Sequence, residues 1–213
     1  MTNQPVPGPE APIITLDRKK IDQFREHGYF FLRPLFGPEE LTEFTEYILE
    51  HFVRNQDIPE IQPHKTDKYL RDFCLQDRFA DVMEALLGPD IAHCGHSILK
   101  CEKDEGHNQW HIDDVLEHPR PGGTTWEAVG LPMPVLWVSL QLAISDISSV
   151  ACGPTEVVPR SHFSGCLPPQ DHMQPDDSDP PQYRGQGPVP ILCNAGDAFL
   201  FNHQLWHRGS INQ

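Results

Sequence analysis

The chain has 213 residues, room for one domain with a sizeable buried core and hardly enough for two. Its 16 basic and 31 acidic side chains leave a net charge of −15, a field that repels polyanions and counts against a nucleic-acid partner. No run approaches the roughly 20 apolar residues that a membrane span requires. The opening MTNQPVPGPEAP lacks the basic start and apolar core of a signal peptide, so a soluble cytoplasmic protein is expected, with no membrane partner.

Residues 1–16 read as a disordered lead-in and residues 17–213 as a single domain. Asp17 is placed to cap a helix that runs to about His27, where Gly28 supplies the stop. Tyr29, Phe30, Phe31 and Leu32 then form a short apolar strand. Pro38 sits at a second helix start, followed by Glu39 and Glu40, where the helix dipole favours acids. Leu41, Phe44, Ile48, Leu49 and Phe52 recur at helical spacing and give one buried stripe. A third helix is expected from about Lys68 to Leu87, with Phe73, Phe79, Val82, Met83 and Leu86 facing inward and Gly88 ending it.

From about residue 91 the texture changes. Short apolar runs (IAHCGHSILKC, PVLWVSLQLAIS, TEVVP, VPILCNA, DAFLFNHQLWH) alternate with Gly- and Pro-rich breaks, which predicts an α+β chain whose second part is a β-sandwich or barrel. Two long loops interrupt the strands, His118 to Pro134 and Gly165 to Pro190. The second carries Asp176, Asp177 and Asp179 and reads equally as a lid or a solvated excursion. Six cysteines without a CxxC pair read as reduced thiols, mostly small core residues.

The chemistry-bearing feature is His111-Ile112-Asp113. Residues i and i+2 of an extended strand project to one face, so an imidazole and a carboxylate stand side by side. Two histidines and one carboxylate on one face of an octahedral metal leave three positions open, the arrangement of non-haem iron(II) oxygenases. The third ligand is His203 or His207, both in DAFLFNHQLWHRGSIN. Read as one strand, they are four apart on the same face, and periodicity does not choose between them.

Several segments in order resemble the phytanoyl-CoA dioxygenase family, from about Ile21 to the end of the chain. DQFREHGYFFLRPLFGPEELTEF is similar to its N-terminal helix, strand and helix, and NQWHIDD to its HxD segment. VSLQLAISD, GPTEVVPRSHFSG and GDAFLFNHQLWHRGSIN are similar to the strands that follow. The resemblance favours His207 over His203, because the family's ligand precedes a small-residue turn such as HRGS.

It implies a double-stranded β-helix, a jelly-roll or cupin-like barrel with N-terminal helices packed outside. It further implies iron(II) held by His111, Asp113 and His207, with 2-oxoglutarate as cosubstrate. The reaction would be oxidation of a small organic substrate by dioxygen while 2-oxoglutarate is decarboxylated to succinate. Gln109 and Thr155 match positions that contact 2-oxoglutarate in some members. Trp110 and Trp206 read as barrel-wall packing. The acidic balance tilts the substrate toward an uncharged or cationic molecule.

One departure concerns the arginine that anchors the cosubstrate's distal carboxylate about a dozen residues beyond the second histidine. That position falls past Gln213, and Arg208 should point away from the site. A C-terminally truncated member, lacking its last barrel strand, is the expectation. The alternatives are a non-catalytic scaffold of the same fold and a cupin, although a cupin's first motif usually offers HxH. A hydrolase built on Ser161 and His162 fails because neighbours on a strand face opposite ways. A zinc cluster of His93, Cys94, His96 and Cys101 is the remaining alternative.

Overall fold

The computed structural model describes residues 16–54, 60–107, 109–114, 117–169 and 178–213. The lead-in up to residue 15 and the acidic pair Asp176 and Asp177 lie outside these residues. Four helices come first: α1 (Arg18–His27), α2 (Pro38–Ile48), α3 (Lys68–Cys74) and α4 (Asp77–Leu87). Six short strands accompany and follow them: β1 (Tyr29–Leu32), β2 (Val138–Leu142), β3 (Thr155–Val157), β4 (Val189–Pro190), β5 (Ala198–Asn202) and β6 (His207–Gly209). They form two antiparallel sheets, ordered β1-β5-β2 and β4-β3-β6. No helix among the described residues is long and apolar enough to cross a membrane.

The layers follow from the side chains of the central strand. Every residue of β5 is buried, as a strand covered on both faces requires. Ala198 and Leu200 join Phe30, Leu32, Phe24 and Val82 in a core under the helices. Phe199 and Phe201 point the other way, into a second core with Val157, Ile191, Cys193 and Leu205 between the two sheets. Period-two alternation in AFLF thus serves both cores at once.

Helix α1 begins as read, with the Asp17 carboxylate accepting from the Lys20 N–H at 2.8 Å, and ends at Gly28, φ +86°. That glycine is required twice over. A Cβ there would lie 2.7 Å from both His162 Nδ1 and Leu205 Cδ1. In α2, Phe44 and Ile48 are buried as expected, but Leu49 is 39% exposed. It opens a π-helical turn, Leu49–Arg54, that carries the chain off the stripe.

Three expectations fail locally. The single third helix is two, broken where Gln76 turns extended (φ −63°, ψ 141°) and restarts the chain as the N-cap of α4. On a continuous helix Phe73 and Phe79 would point about 120° apart. The break lets both rings meet Phe36, at 5.3 and 6.0 Å between centroids. Among the described residues the run from residue 91 to 101 makes one isolated bridge, Ser97 to Ile61, where the short segment Glu60–Gln62 lies beside it. DAFLFNHQLWH is not one strand. The chain turns after Asn202, whose side-chain oxygen accepts from Gln204 N–H at 2.9 Å and whose carbonyl accepts from Leu205 N–H at 2.8 Å. The turn carries the chain from one sheet to the other.

Candidate metal centre

That crossing decides which histidine faces Asp113. His111 and His207 stand opposite one another in an isolated antiparallel bridge, each N–H donating to the other's carbonyl at 3.0 Å. Residues so paired present their side chains on one face, and the two imidazole centroids are 4.2 Å apart. Asp113, two residues beyond His111, shares that face. Its Oδ1 lies 3.6 Å from His111 Nε2 and 3.4 Å from His207 Nε2. One ligand atom from each of the three lies within 4.8 Å of the others, the one such histidine, cysteine or carboxylate grouping among the described residues.

Each imidazole is oriented by the same device. His111 Nδ1 donates to the Gln109 carbonyl at 2.7 Å, and His207 Nδ1 to the Leu205 carbonyl at 2.8 Å. A carbonyl two residues upstream therefore holds a proton on Nδ1 and turns Nε2 toward Asp113. Metal-binding histidines are oriented this way. The donor set suits a divalent transition ion with open positions. His207 is buried, whereas the His111 and Asp113 side chains are 26% and 34% exposed, so the site opens to solvent on their side.

The electrostatics follow from this packing. Burial pushes the Asp113 carboxyl up, but hydrogen bonding to His111 and His207 overrides it and holds the group well below the usual carboxylate range. Burial pushes His111 down, and Asp113 with the Gln109 carbonyl more than restores it, so the imidazole ends above its ordinary value.

His203 serves the wall. Its Nε2 lies 2.7 Å from Ser139 Oγ and its ring stacks on Trp137, while its backbone carbonyl accepts from the Asp113 N–H at 2.9 Å. Gln109 has an exposed side chain, and its contact with the site is through its carbonyl. Thr155 opens β3 and donates to Gln141 Oε1 at 3.1 Å. Both line a small cavity between the sheets with Ile191 and Phe199. Arg208 points away from His207, as expected, to pair with Glu156 at 2.7 Å over the Trp110 ring. Trp110 and Trp206 are buried wall residues.

Ser161 and His162 lie in a 3-10 turn rather than a strand. Ser161 Oγ accepts from the Trp206 N–H at 2.8 Å and so fastens the turn that delivers His207. His162 Nε2 reaches the Arg25 carbonyl at 3.2 Å. Both are buried and committed to structure, which disposes of the hydrolase. Among these, Ser139 and Gln141 were open to sequence reasoning, since VSLQL sets them on the face opposite Val138, Leu140 and Leu142. His107, whose ring meets His111 edge-on at 5.0 Å, carried no sequence signal beyond its spacing.

A family model described as phytanoyl-CoA dioxygenase (PhyH) matches residues 24–213. The chain belongs to the phytanoyl-CoA dioxygenase family. Its class of chemistry is that of the 2-oxoglutarate-dependent dioxygenases, with iron(II) as the metal. Solved structures similar to this family member include HygX from Streptomyces hygroscopicus with nickel and 2-oxoglutarate bound. That match has a TM-score of 0.71 at 17% identity, over 92% of this chain and 81% of the other. EctD from S. alaskensis with 2-oxoglutarate and 5-hydroxyectoine gives 0.68 at 19%, over 92% and 71%. SnoK, a non-heme alpha-ketoglutarate-dependent carbocyclase from nogalamycin biosynthesis, gives 0.65 at 19%, over 92% and 78%. At these identities the likeness is one of fold. No curated protein sequence matches the chain.

Proposed function

We propose that His111, Asp113 and His207 hold iron(II) in this chain, and that it oxidises a small organic substrate with dioxygen while 2-oxoglutarate is decarboxylated to succinate. The observation that carries the assignment is the convergence of three donors with both imidazoles locked in one tautomer by upstream carbonyls. Iron(II), when bound, supplies the open positions for the keto acid and dioxygen and so the oxidising power the side chains lack. The chain's own part is to fix geometry. The paired backbones of His111 and His207 set the spacing of two ligands, and the His203 carbonyl pins the third.

We read the two sheets as halves of a double-stranded β-helix within one oxygenase domain spanning residues 17–213. The crossing between sheets after Asn202 supports this, as do the solved structures of similar fold. Thr155 and Gln141 in the inter-sheet cavity are read as cosubstrate-side groups, with Gln109 at the rim. A net charge of −15 favours an uncharged or cationic substrate and opposes nucleic acid. Six free thiols suit a cytoplasmic, reducing location.

The test is anaerobic titration with iron(II), with and without 2-oxoglutarate, read by the visible charge-transfer absorbance of the iron–keto acid chelate. The band is expected in the unaltered chain and not in Asp113→Ala. A band that survives in Asp113→Ala, or is missing from both, overturns the ligand assignment.

A further inference from the structure

Side chains that face the space between the sheets fall into levels, one for every two residues of strand. On the first sheet Gln141 stands opposite Phe199, and Ser139 opposite Phe201. One step further, just before β2, the Trp137 carbonyl accepts from the His203 N–H at 3.4 Å, and the two rings stack 6.1 Å apart, 18° from parallel. The second sheet supplies the facing groups. His207 meets the middle level, its ring 4.8 Å from that of Phe201, and Thr155 meets the level of Gln141. The triad therefore divides this space. On one side lie Gln141, Thr155 and the small cavity, which ends among buried Ala143, Ile191 and Cys193. On the other side, one step of roughly 6.8 Å along the strand, lie Trp137 and His203. That side opens to solvent: Trp137 is 37% exposed, and Asp113, whose N–H bonds the His203 carbonyl, is the most exposed of the three proposed ligands. The chain leading into and out of Trp137 is uncharged, with no Asp, Glu, Lys or Arg between Val129 and Ser145.

We propose that Trp137 sets the specificity for the organic substrate: its indole, backed by His203, is a shelf on which an uncharged molecule with a flat ring lies beside the triad. This rests on the reading of His111, Asp113 and His207 as iron ligands. An indole offers a broad apolar face, and a second ring stacks on it in an offset arrangement that a branched aliphatic chain cannot match. The shelf is held in place before a substrate arrives. His203 Nε2 lies 2.7 Å from Ser139 Oγ, which fixes the imidazole that backs the indole, and the Phe201 ring stacks 6.3 Å from the other side of that imidazole. Preorganisation of this kind limits the ordering cost of binding. The charge of the substrate follows from the neighbours. An anion would approach Asp113 and Asp114, both tied to the His203 carbonyl, in a chain of net charge −15. A cation gains little from the same carboxylates, because Asp113 faces His111 and His207, and buried Asp114 lies 3.5 Å from His118 Nε2. A neutral ring uses the stacking face without either conflict. The cosubstrate-side groups, Gln141 and Thr155, lie beyond the triad from this shelf, so the two molecules approach from opposite sides.

Three probes with one ring system test this: 2-naphthol, 2-naphthoate and 2-naphthylmethylammonium, which at pH 7 are neutral, anionic and cationic. Their binding to the full chain is measured by saturation-transfer NMR without metal, and again with manganese(II) added. The neutral probe is expected to bind roughly tenfold or more tightly than either ion. Trp137→Ala, with an unchanged circular dichroism spectrum, should weaken it roughly tenfold, and Trp137→Phe, which keeps a flat ring, should restore it to within about threefold. With manganese(II) at the triad the signals of bound 2-naphthol should broaden, and Asp113→Ala should abolish the broadening while the probe still binds. No binding of 2-naphthol, equal binding of the three probes, unchanged binding in Trp137→Ala, or a loss in Trp137→Phe as large as in Trp137→Ala each overturns the proposal. So does binding without broadening in a chain that holds manganese. A chain that binds no manganese overturns the metal centre itself, and the shelf with it.

Discussion

His111 and His207 are a hydrogen-bonded antiparallel pair, each N–H 3.0 Å from the other's carbonyl, so the spacing of two proposed ligands is set by backbone. A site built this way is rigid before any ion arrives, and ion binding need not organise the chain around itself. Replacing one imidazole therefore removes a donor without moving the others. His207→Ala is expected to keep the fold, because the bridge uses only main-chain groups, yet to lower iron(II) affinity more than ~100-fold. Circular dichroism beside a metal titration checks both halves. Retained affinity would assign the third ligand elsewhere.

Ser161 carries the turn that positions His207. Its hydroxyl accepts the Trp206 N–H in a fully buried position. Ser161→Ala leaves that donor unsatisfied and is expected to cost about 1–3 kcal/mol in urea unfolding. Because the loosened segment is the one that delivers His207, iron affinity should fall with stability, by roughly tenfold or more. A stability loss with unchanged affinity would show that the turn is held by other contacts.

His162 gives a pH dependence with a definite sign. Burial, with Arg160 and His27 adding repulsion, lowers its pKa to about 4, against 6.5 for the free side chain; the Arg25 carbonyl offsets only part of this. Between these values the unfolded chain binds a proton that the native chain refuses, so stability falls as pH drops below about 6.5 and levels off near 4. The full contribution is on the order of 3 kcal/mol. His96, also lowered to about 4, acts in the same direction, so His162→Gln should flatten the profile in part. Equilibrium unfolding between pH 4 and 7 measures the slope, and a profile unchanged by the substitution would remove His162 as its source.

Gly28 couples the end of α1 to the His207 turn, since its carbonyl accepts the Asn202 N–H at 2.9 Å and its α-carbon faces His162 and Leu205. Gly28→Ala combines a left-handed backbone with two contacts of 2.7 Å and is expected to cost about 2–4 kcal/mol. Denaturant midpoints measure it. A loss under about 0.5 kcal/mol would mean the neighbours yield freely.

Much of this arrangement is legible in the amino-acid sequence, for reasons that differ by element. Asp17, Gly28 and Pro38 are local signals whose physics needs no tertiary context; α1 begins and ends, and α2 begins, where they say, while no local signal marks the end of α2 at Ile48. His111 and Asp113 share a face through strand periodicity alone. What stays hidden depends on distant partners. The break between α3 and α4 is decided by Phe36, and the strand-like run from residue 91 makes a single bridge among the described residues, to Ile61. The turn after Asn202 reads from sequence as continued strand, although Asn202 closes it with its own side chain and carbonyl, and Ser161 from another segment fastens Trp206 just beyond it.

That turn is also why periodicity does not separate His203 from His207, and a substitution can. His203 Nε2 is engaged with Ser139, and what it gives the site is its carbonyl, which accepts from Asp113 N–H at 2.9 Å and from Asp114 N–H at 3.3 Å. A side-chain replacement leaves that carbonyl in place. His203→Gln, whose amide can still bond Ser139, is expected to change iron(II) affinity by less than about threefold, against the loss of more than ~100-fold expected for His207→Ala. The same titration on both variants gives the answer. If His203→Gln lost the ion and His207→Ala kept it, the ligand would be the histidine before the turn, and the pairing of His111 with His207 would be scaffold alone.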